Sequence, residues 1–187
     1  GAKAAVRTYP DLLSSAADAA TFRHYTTSQL VHLRLGAPGA AARVSERLLG
    51  APAMTYGVDP SPDGAYLLVA SILPDGLSYA VPWSRFGRRL EVLPLESAAG
   101  AARRVLLESG VLDEMPIGHD AVREGPRGFT WRADAPATLC WAEALDRGNP
   151  KGTPADGMRD KVLLLAAPFN GSPVELARTA SRFQHVR

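Results

Sequence analysis

The chain predicts an all-β fold, a partial β-propeller of about two and a half four-stranded antiparallel blades. Three observations carry that expectation. Short apolar runs are closed by turn residues; a four-strand pattern recurs with Tyr66 and Thr138 in matching places, 72 positions apart; and the 187 residues include 17 Gly and 15 Pro. Gly and Pro at that density favour many turns and short strands over long helices.

Positions 7–25 hold Asp11, Leu12, Leu13 and an alanine-rich stretch, and read as a loop with a short helix. Positions 29–35 set Leu30, Val31, Leu33 and Leu35 among Gln29, His32 and Arg34, a period-two strand signal. A turn at 36–39 leads to a return strand at 42–48. Next, 54–58 is apolar, Asp59-Pro60-Ser61-Pro62-Asp63-Gly64 is dense in turn residues, and 66–72 is apolar again. Two prolines cannot sit inside a central strand, and Asp63-Gly64 supplies the positive φ of a tight hairpin, so the stretch reads strand, turn, strand. Strands at 89–95 and 102–107 complete that unit. The same grammar returns with a strand at 128–132, a turn at 133–136, and strands at 138–142, 161–167 and 174–178.

The expected organisation is therefore 1–50, the end of one blade with a leading loop; 51–108, a second blade; 109–127, a long connection; 128–180, a third blade; and 181–187, the opening of the next. The repeat exceeds the ~40–45 residues of the commonest propeller unit, an excess assigned to the connections 74–87 and 109–127. A four-stranded sheet cannot bury both faces alone, so blades stack on their neighbours. Two and a half blades leave raw faces, which implies a fragment or a partner. An open two-sheet sandwich would use the same strands.

With 46% hydrophobic and 21% charged residues the composition is that of a globular domain. Net charge is +2, from 21 basic and 19 acidic residues, which argues against nucleic acid as a partner. No run approaches the ~18 apolar residues of a membrane span, so no membrane partner is expected. Cys140 is the single cysteine; it excludes an intrachain disulfide and a cysteine zinc site, and its apolar neighbours mark it as a small buried hydrophobe. Gly1 reads as an expression scar or an internal cut, so the chain carries no information on compartment. His24, His32, His119 and His185 are scattered, and the Asp pattern lacks calcium-loop spacing, so no metal or other cofactor is expected.

The candidate binding residues lie in the first long connection and just beyond it. Trp83, Arg85, Phe86, Arg88 and Arg89 place three guanidinium groups among aromatics, on a segment longer than a hairpin needs. Arg85, Arg88 and Arg89 are the candidate substrate-binding residues, because arginine pairs bidentately with carboxylates. The alternative is that Trp83 and Phe86 cap the blade while the arginines are solvated or meet another domain. Arg123, Arg127 and Arg132 form a second basic stretch. Trp131 and Trp141 read as packing anchors between blades, and Asp59, Asp63 and Asp134 as turn formers.

Five stretches carry a resemblance: Arg7-Thr8-Tyr9-Pro10-Asp11-Leu12-Leu13, Tyr25-Thr26-Thr27-Ser28-Gln29-Leu30, the 59–68 hairpin, Tyr79-Ala80-Val81-Pro82-Trp83-Ser84-Arg85-Phe86, and Trp131 to Leu139 followed by Trp141-Ala142-Glu143. In that order they resemble the N-terminal propeller of S9 (prolyl oligopeptidase) serine peptidases, in the glutamyl endopeptidase-like branch. The resemblance implies a parent with a separate α/β-hydrolase domain bearing a Ser-Asp-His triad. That domain and the remaining blades would be the partners, and peptides the substrate. No Gly-x-Ser-x-Gly occurs here, so no catalytic residue is assigned and the chain is expected to be inactive alone. The function implied is a non-catalytic propeller segment that gates peptide access to the hydrolase domain. A stand-alone propeller interaction module is the alternative, and one chain of a split enzyme a third reading.

Overall fold

The computed structural model describes residues 9–36, 45–96, 103–115, 118–152, 154 and 156–184. Positions 37–39 of the predicted 36–39 turn, 42–44 of the predicted 42–48 strand, 102 of the predicted 102–107 strand, and the last three residues of the predicted next blade, His185 among them, lie outside them. The leading segment forms α1 (Ala16–Thr26), started by Ser15, whose Oγ accepts from Asp18 N at 3.1 Å. An N-cap serine with an acidic first turn satisfies the free amides and complements the helix dipole. Strands β1 (Val31–Arg34) and β2 (Ser45–Leu48) pair as a two-stranded hairpin.

Two four-stranded antiparallel sheets follow. One runs in order β3 (Met54–Pro60), β4 (Tyr66–Ile72), β5 (Arg88–Pro94), β6 (Arg104–Ser109). The other contains β7 (Pro126–Trp131), β8 (Thr138–Ala144), β9 (Asp160–Ala166) and β10 (Val174–Thr179), again each strand beside the next in sequence. The central strands β4 and β8 are buried on both faces, which explains their continuous apolar runs, whereas the edge strand β10 is exposed along most of its length. Pro60 ends β3, an edge strand, where its missing N–H costs no ladder bond.

The repeat is stricter in space than in composition. Strands β3, β4 and β5 begin at 54, 66 and 88, and β7, β8 and β9 at 126, 138 and 160, each pair 72 apart. The loops between the second and third strands, 73–87 and 145–159, therefore match in length. The chain between β6 and β7 spans 110–125, and the loop 145–159 is a further long connection that the sequence does not single out. Within 73–87 the chain folds back on itself: Gly87 N donates to Gly76 O at 2.8 Å, and a Cβ on either glycine would lie 2.6–3.3 Å from the other residue's backbone or Ser109 O.

The two sheets pack face to face on a shared core. Leu68 and Val92 of the first sheet meet Trp131, Leu139, Trp141, Leu163, Leu165 and Phe169 of the second unit. Trp131 and Trp141 are thus the packing anchors expected, with Phe129 stacked on Trp141 at 5.1 Å and Tyr66 edge-on to Phe169 at 5.0 Å. Matching positions also touch: Trp131 Nε1 donates to the carbonyl of Asp59, 72 residues earlier, at 3.0 Å. Beside it Asp63 N donates to Pro136 O, joining the two first hairpins. The Asp63 turn is built as expected, its carboxylate accepting from Ser61 Oγ at 2.6 Å and Ala65 N at 3.0 Å, with Gly64 at φ +68°.

The opposite face of the first sheet is covered from the other side. Leu30 and Leu49, flanking the β1–β2 hairpin, share a cavity with Val69 and Leu93, while Arg47 donates to the Leu95 carbonyl. A second core joins Met54, Ile72, Val81 and Phe86 to Phe22 of α1. The fold is all-β in its sheets, a series of stacked antiparallel units, and no closed ring is formed among the described residues.

Candidate functional site

The connection 73–87 ends in a single 3-10 turn, Trp83–Arg85, that sends its arginines in different directions. Arg85 is buried: its guanidinium lies 5.6 Å from the centre of the Tyr9 ring and Nη1 donates to Leu112 O at 3.5 Å. Phe86 is buried beside it, edge-on to Phe22 at 5.7 Å. Arg88 opens β5, donates to the Ser84 carbonyl and rests over the Tyr56 ring at 5.6 Å. Arg89, the next residue, points to the opposite face, as strand alternation requires. There it pairs with Glu108 across β6 at 2.7 Å.

Two of the three predicted arginines reach cavities: Arg89 lines the one shared by Leu30, Leu49, Val69 and Leu93, and Arg88 lines another with two residues of the second basic stretch. Arg88, Arg123 and Arg127 line a cavity of about 280 Å³ between the first sheet and the start of β7. Its floor is apolar, formed by Ala70, Leu90 and Leu107 on neighbouring strands and by Phe129 opposite. Arg132 turns away to pair with Asp134 in the hairpin. Buried Nε of Arg88, Nε of Arg123 and Nη1 of Arg127 find no acceptor among the described residues. Burial, and after it the positive charge of Arg88, lowers the pKa of Arg123 from its ordinary value.

Arg127 is anchored from behind. Its Nη2 donates to Asp160, a carboxylate with no exposed surface that also accepts from Arg182 Nη1 at 3.0 Å and Phe183 N at 2.6 Å. Arg182 continues the chain of charges to Asp146 at 2.7 Å, which Arg159 joins at 2.9 Å. Burial raises the Asp146 pKa, but the Arg182 bond and charge, Gly148 N and Arg159 outweigh it, so the carboxyl stands below its ordinary range. Asp160 and Arg182 were not singled out from sequence: each is one charge beside an apolar run, and only the fold joins them. Their sole legible trace is that Asp160 holds the place in its repeat that Arg88 holds in the preceding one.

The remaining side chains are less eventful. Cys140 is buried and its thiol pKa is raised, chiefly by burial. His119 lies 3.2 Å from the adjacent Asp120 on an exposed loop. Among the described residues, no three His, Cys, Asp or Glu side chains converge as a metal-binding set.

Relatives place this geometry in context. A protein of Oryza sativa subsp. japonica named as a probable chloroplastic glutamyl endopeptidase is 37% identical over 172 residues, 91% of this chain. A protein of the same name from Arabidopsis thaliana is 40% identical over 146 residues, 78% of this chain. The chain is homologous to glutamyl endopeptidases of the S9 type. It spans 17% and 14% of the lengths of those two proteins. No family model matches, and no solved structure does.

Proposed function

We propose that the chain is a non-catalytic β-propeller segment of a prolyl oligopeptidase-type serine peptidase, and that it gates peptide access to a separate α/β-hydrolase domain. The observation that carries the propeller reading is the contact between equivalent positions, Trp131 Nε1 to the Asp59 carbonyl across one repeat. Stacking identical units by a small rotation brings such pairs together. A sandwich would instead pack two sheets and leave their outer faces to solvent. Here the first sheet is covered on both faces, by the second sheet and by the β1–β2 hairpin. The peptidase reading rests on the homology with glutamyl endopeptidases. Exposed apolar residues on the outermost strands, Val31 and Leu33 at one end and Val174 and Leu176 at the other, are where further blades would seat.

The test uses the full-length protein that contains this chain. A fluorophosphonate probe should label one serine, and peptide mapping should put it outside these 187 residues. Short unstructured peptides should be hydrolysed while a folded protein of the same composition survives. A full-length protein that neither takes the label nor cuts peptides is a stand-alone interaction propeller, and the peptidase reading is then wrong.

A further inference from the structure

Opposite faces of each four-stranded sheet meet opposite neighbours. On the first sheet Leu68 of β4 is paired with Val92 of β5, and both enter the core shared with the second sheet. The next residues along, Val69 paired with Glu91 and Leu67 with Leu93, fall on the other face, as strand alternation requires. Val69, Glu91 and Leu93 line the cavity that Leu30 and Leu49 share from the β1–β2 hairpin. On the second sheet the central strands keep the same register 72 positions later: Cys140 is paired with Leu164, Leu139 with Leu165 and Trp141 with Leu163. Here Leu139, Trp141, Leu163 and Leu165 are the residues that enter the shared core. The middle of each sheet therefore turns its odd-numbered residues to the element before it and its even-numbered residues to the element after it. Contacts of this head-to-tail kind join two different patches, so a stack built on them has a direction.

By that rule the face of Thr138, Cys140 and Leu164 is directed at whatever follows β10. On that face Val174 of the edge strand is paired with Leu164 and is 65% exposed. Cys140 stands 72 positions after Leu68 and is the smaller side chain; with Leu176, Thr130 and Arg132 it lines a cavity of about 340 Å³. The chain beyond β10 is already tied to the same face, because Arg182 and Phe183 both donate to Asp160, an even-numbered residue of β9.

We propose that this face is the docking surface for a further four-stranded unit of the same polypeptide, stacked in the direction of the first two and seating a bulky apolar side chain against Cys140. It continues the interface between the two sheets, in which Leu139, Trp141, Leu163 and Phe169 pack with Leu68 and Val92. An incoming sheet of that kind covers Val174 and Leu176 and fills the cavity, and removing apolar surface from water drives the docking. A second copy of this chain has no matching face to offer, because the odd-numbered face of its first sheet is covered by the β1–β2 hairpin. The direction of stacking rests on the strand register alone; the existence of a further unit rests on the propeller reading above.

The experiment uses the unmutated full-length protein that contains this chain, with hydroxyl-radical footprinting and with photo-leucine incorporated in place of leucine, both read by peptide mapping. Val174 is more exposed than Val105 in this chain, 65% against 46%. In the full-length protein the order should reverse, with Val174 oxidised about fivefold more slowly than Val105, since the centre of a packed interface excludes water. Beyond its own sheet, photo-leucine at position 176 should cross-link to a segment that follows this chain within about one repeat of 72 positions. Faster oxidation of Val174 than of Val105 overturns the docking surface and the propeller reading together, because the face is then open to water. Protection of Val174 with cross-links to a preceding segment, to a hydrolase domain or to a second copy overturns the directed stack while leaving the propeller reading in place.

Discussion

Position 88 and position 160 occupy the same place in two successive repeats, the first residue of the third strand, yet they carry opposite charges. Asp160 is fully buried and accepts from two guanidinium groups and a backbone amide. Arg88 is half-buried, with a carbonyl and an aromatic face for company and one N–H unmatched. Arg127 touches both environments: Nη2 is on Asp160, Nη1 is buried without an acceptor among the described residues, and the residue lines the cavity with Arg88 and Arg123. The difference teaches how one repeated frame divides its work. Around Asp160 charges are closed on themselves and hold the unit to the segment after β10; around Arg88 they are left open.

The largest effect should follow from opening the closed network. Asp160→Asn strands Arg127 as a buried cation and leaves Arg182 with Asp146 alone, and breaking a buried pair from one side costs about 3–5 kcal/mol. Amide hydrogen exchange in β8 and β9 should accelerate accordingly. A loss under about 1 kcal/mol, against that expectation, would mean that the two environments differ only in appearance.

Acid should open the same network more gently. The Asp146 carboxyl is held below its ordinary range, so it binds a proton less readily folded than unfolded. Its contribution is complete above the unfolded carboxylate value of about 3.9 and is lost as pH falls through the lower folded value. The stability gap between the unmutated protein and Asp146→Asn should therefore be constant near neutrality and close in strong acid. A gap that persists at the lowest pH at which both remain folded would assign the Asp146 effect to packing. The open cleft carries no such carboxylate among the described residues, so Arg88→Gln should leave the acid profile unmoved.

Strands were legible and the cleft was not, for separable reasons. Each strand is a local object: alternation at 29–35, continuous apolar runs at 66–72 and 138–142, and Pro and Gly at 60–64 all act within a few residues. The doubled pattern survived into space almost residue for residue. Arg85, by contrast, was grouped with Arg88 and Arg89 because they are neighbours in sequence. Its inward turn depends on Tyr9 and the Leu112 carbonyl, 76 and 27 positions away. Strand alternation could have separated Arg88 from Arg89, but not identified the face that meets Arg123 and Arg127. That assignment needs β7 to pack on the first sheet, and it is carried by Phe129, Trp131 and the hairpin contacts rather than by any arginine.

The smallest expected effect on stability is the most informative about the comparison. Arg123 is partly desolvated beside Arg88 and makes no ion pair among the described residues, and both burial and that neighbour disfavour its charge. Removing the charge by Arg123→Gln relieves repulsion and forfeits no partner. Surface substitutions away from such partners usually fall within about 0.5 kcal/mol, and because the loss of repulsion offsets the loss of packing at this half-buried site, the variant should be about as stable as the unmutated protein. Were Arg123→Gln to destabilise β7 as strongly as Asp160→Asn destabilises β9, Arg123 would belong to the closed network after all, through an acceptor supplied by the fold, and the division between the two repeats would dissolve.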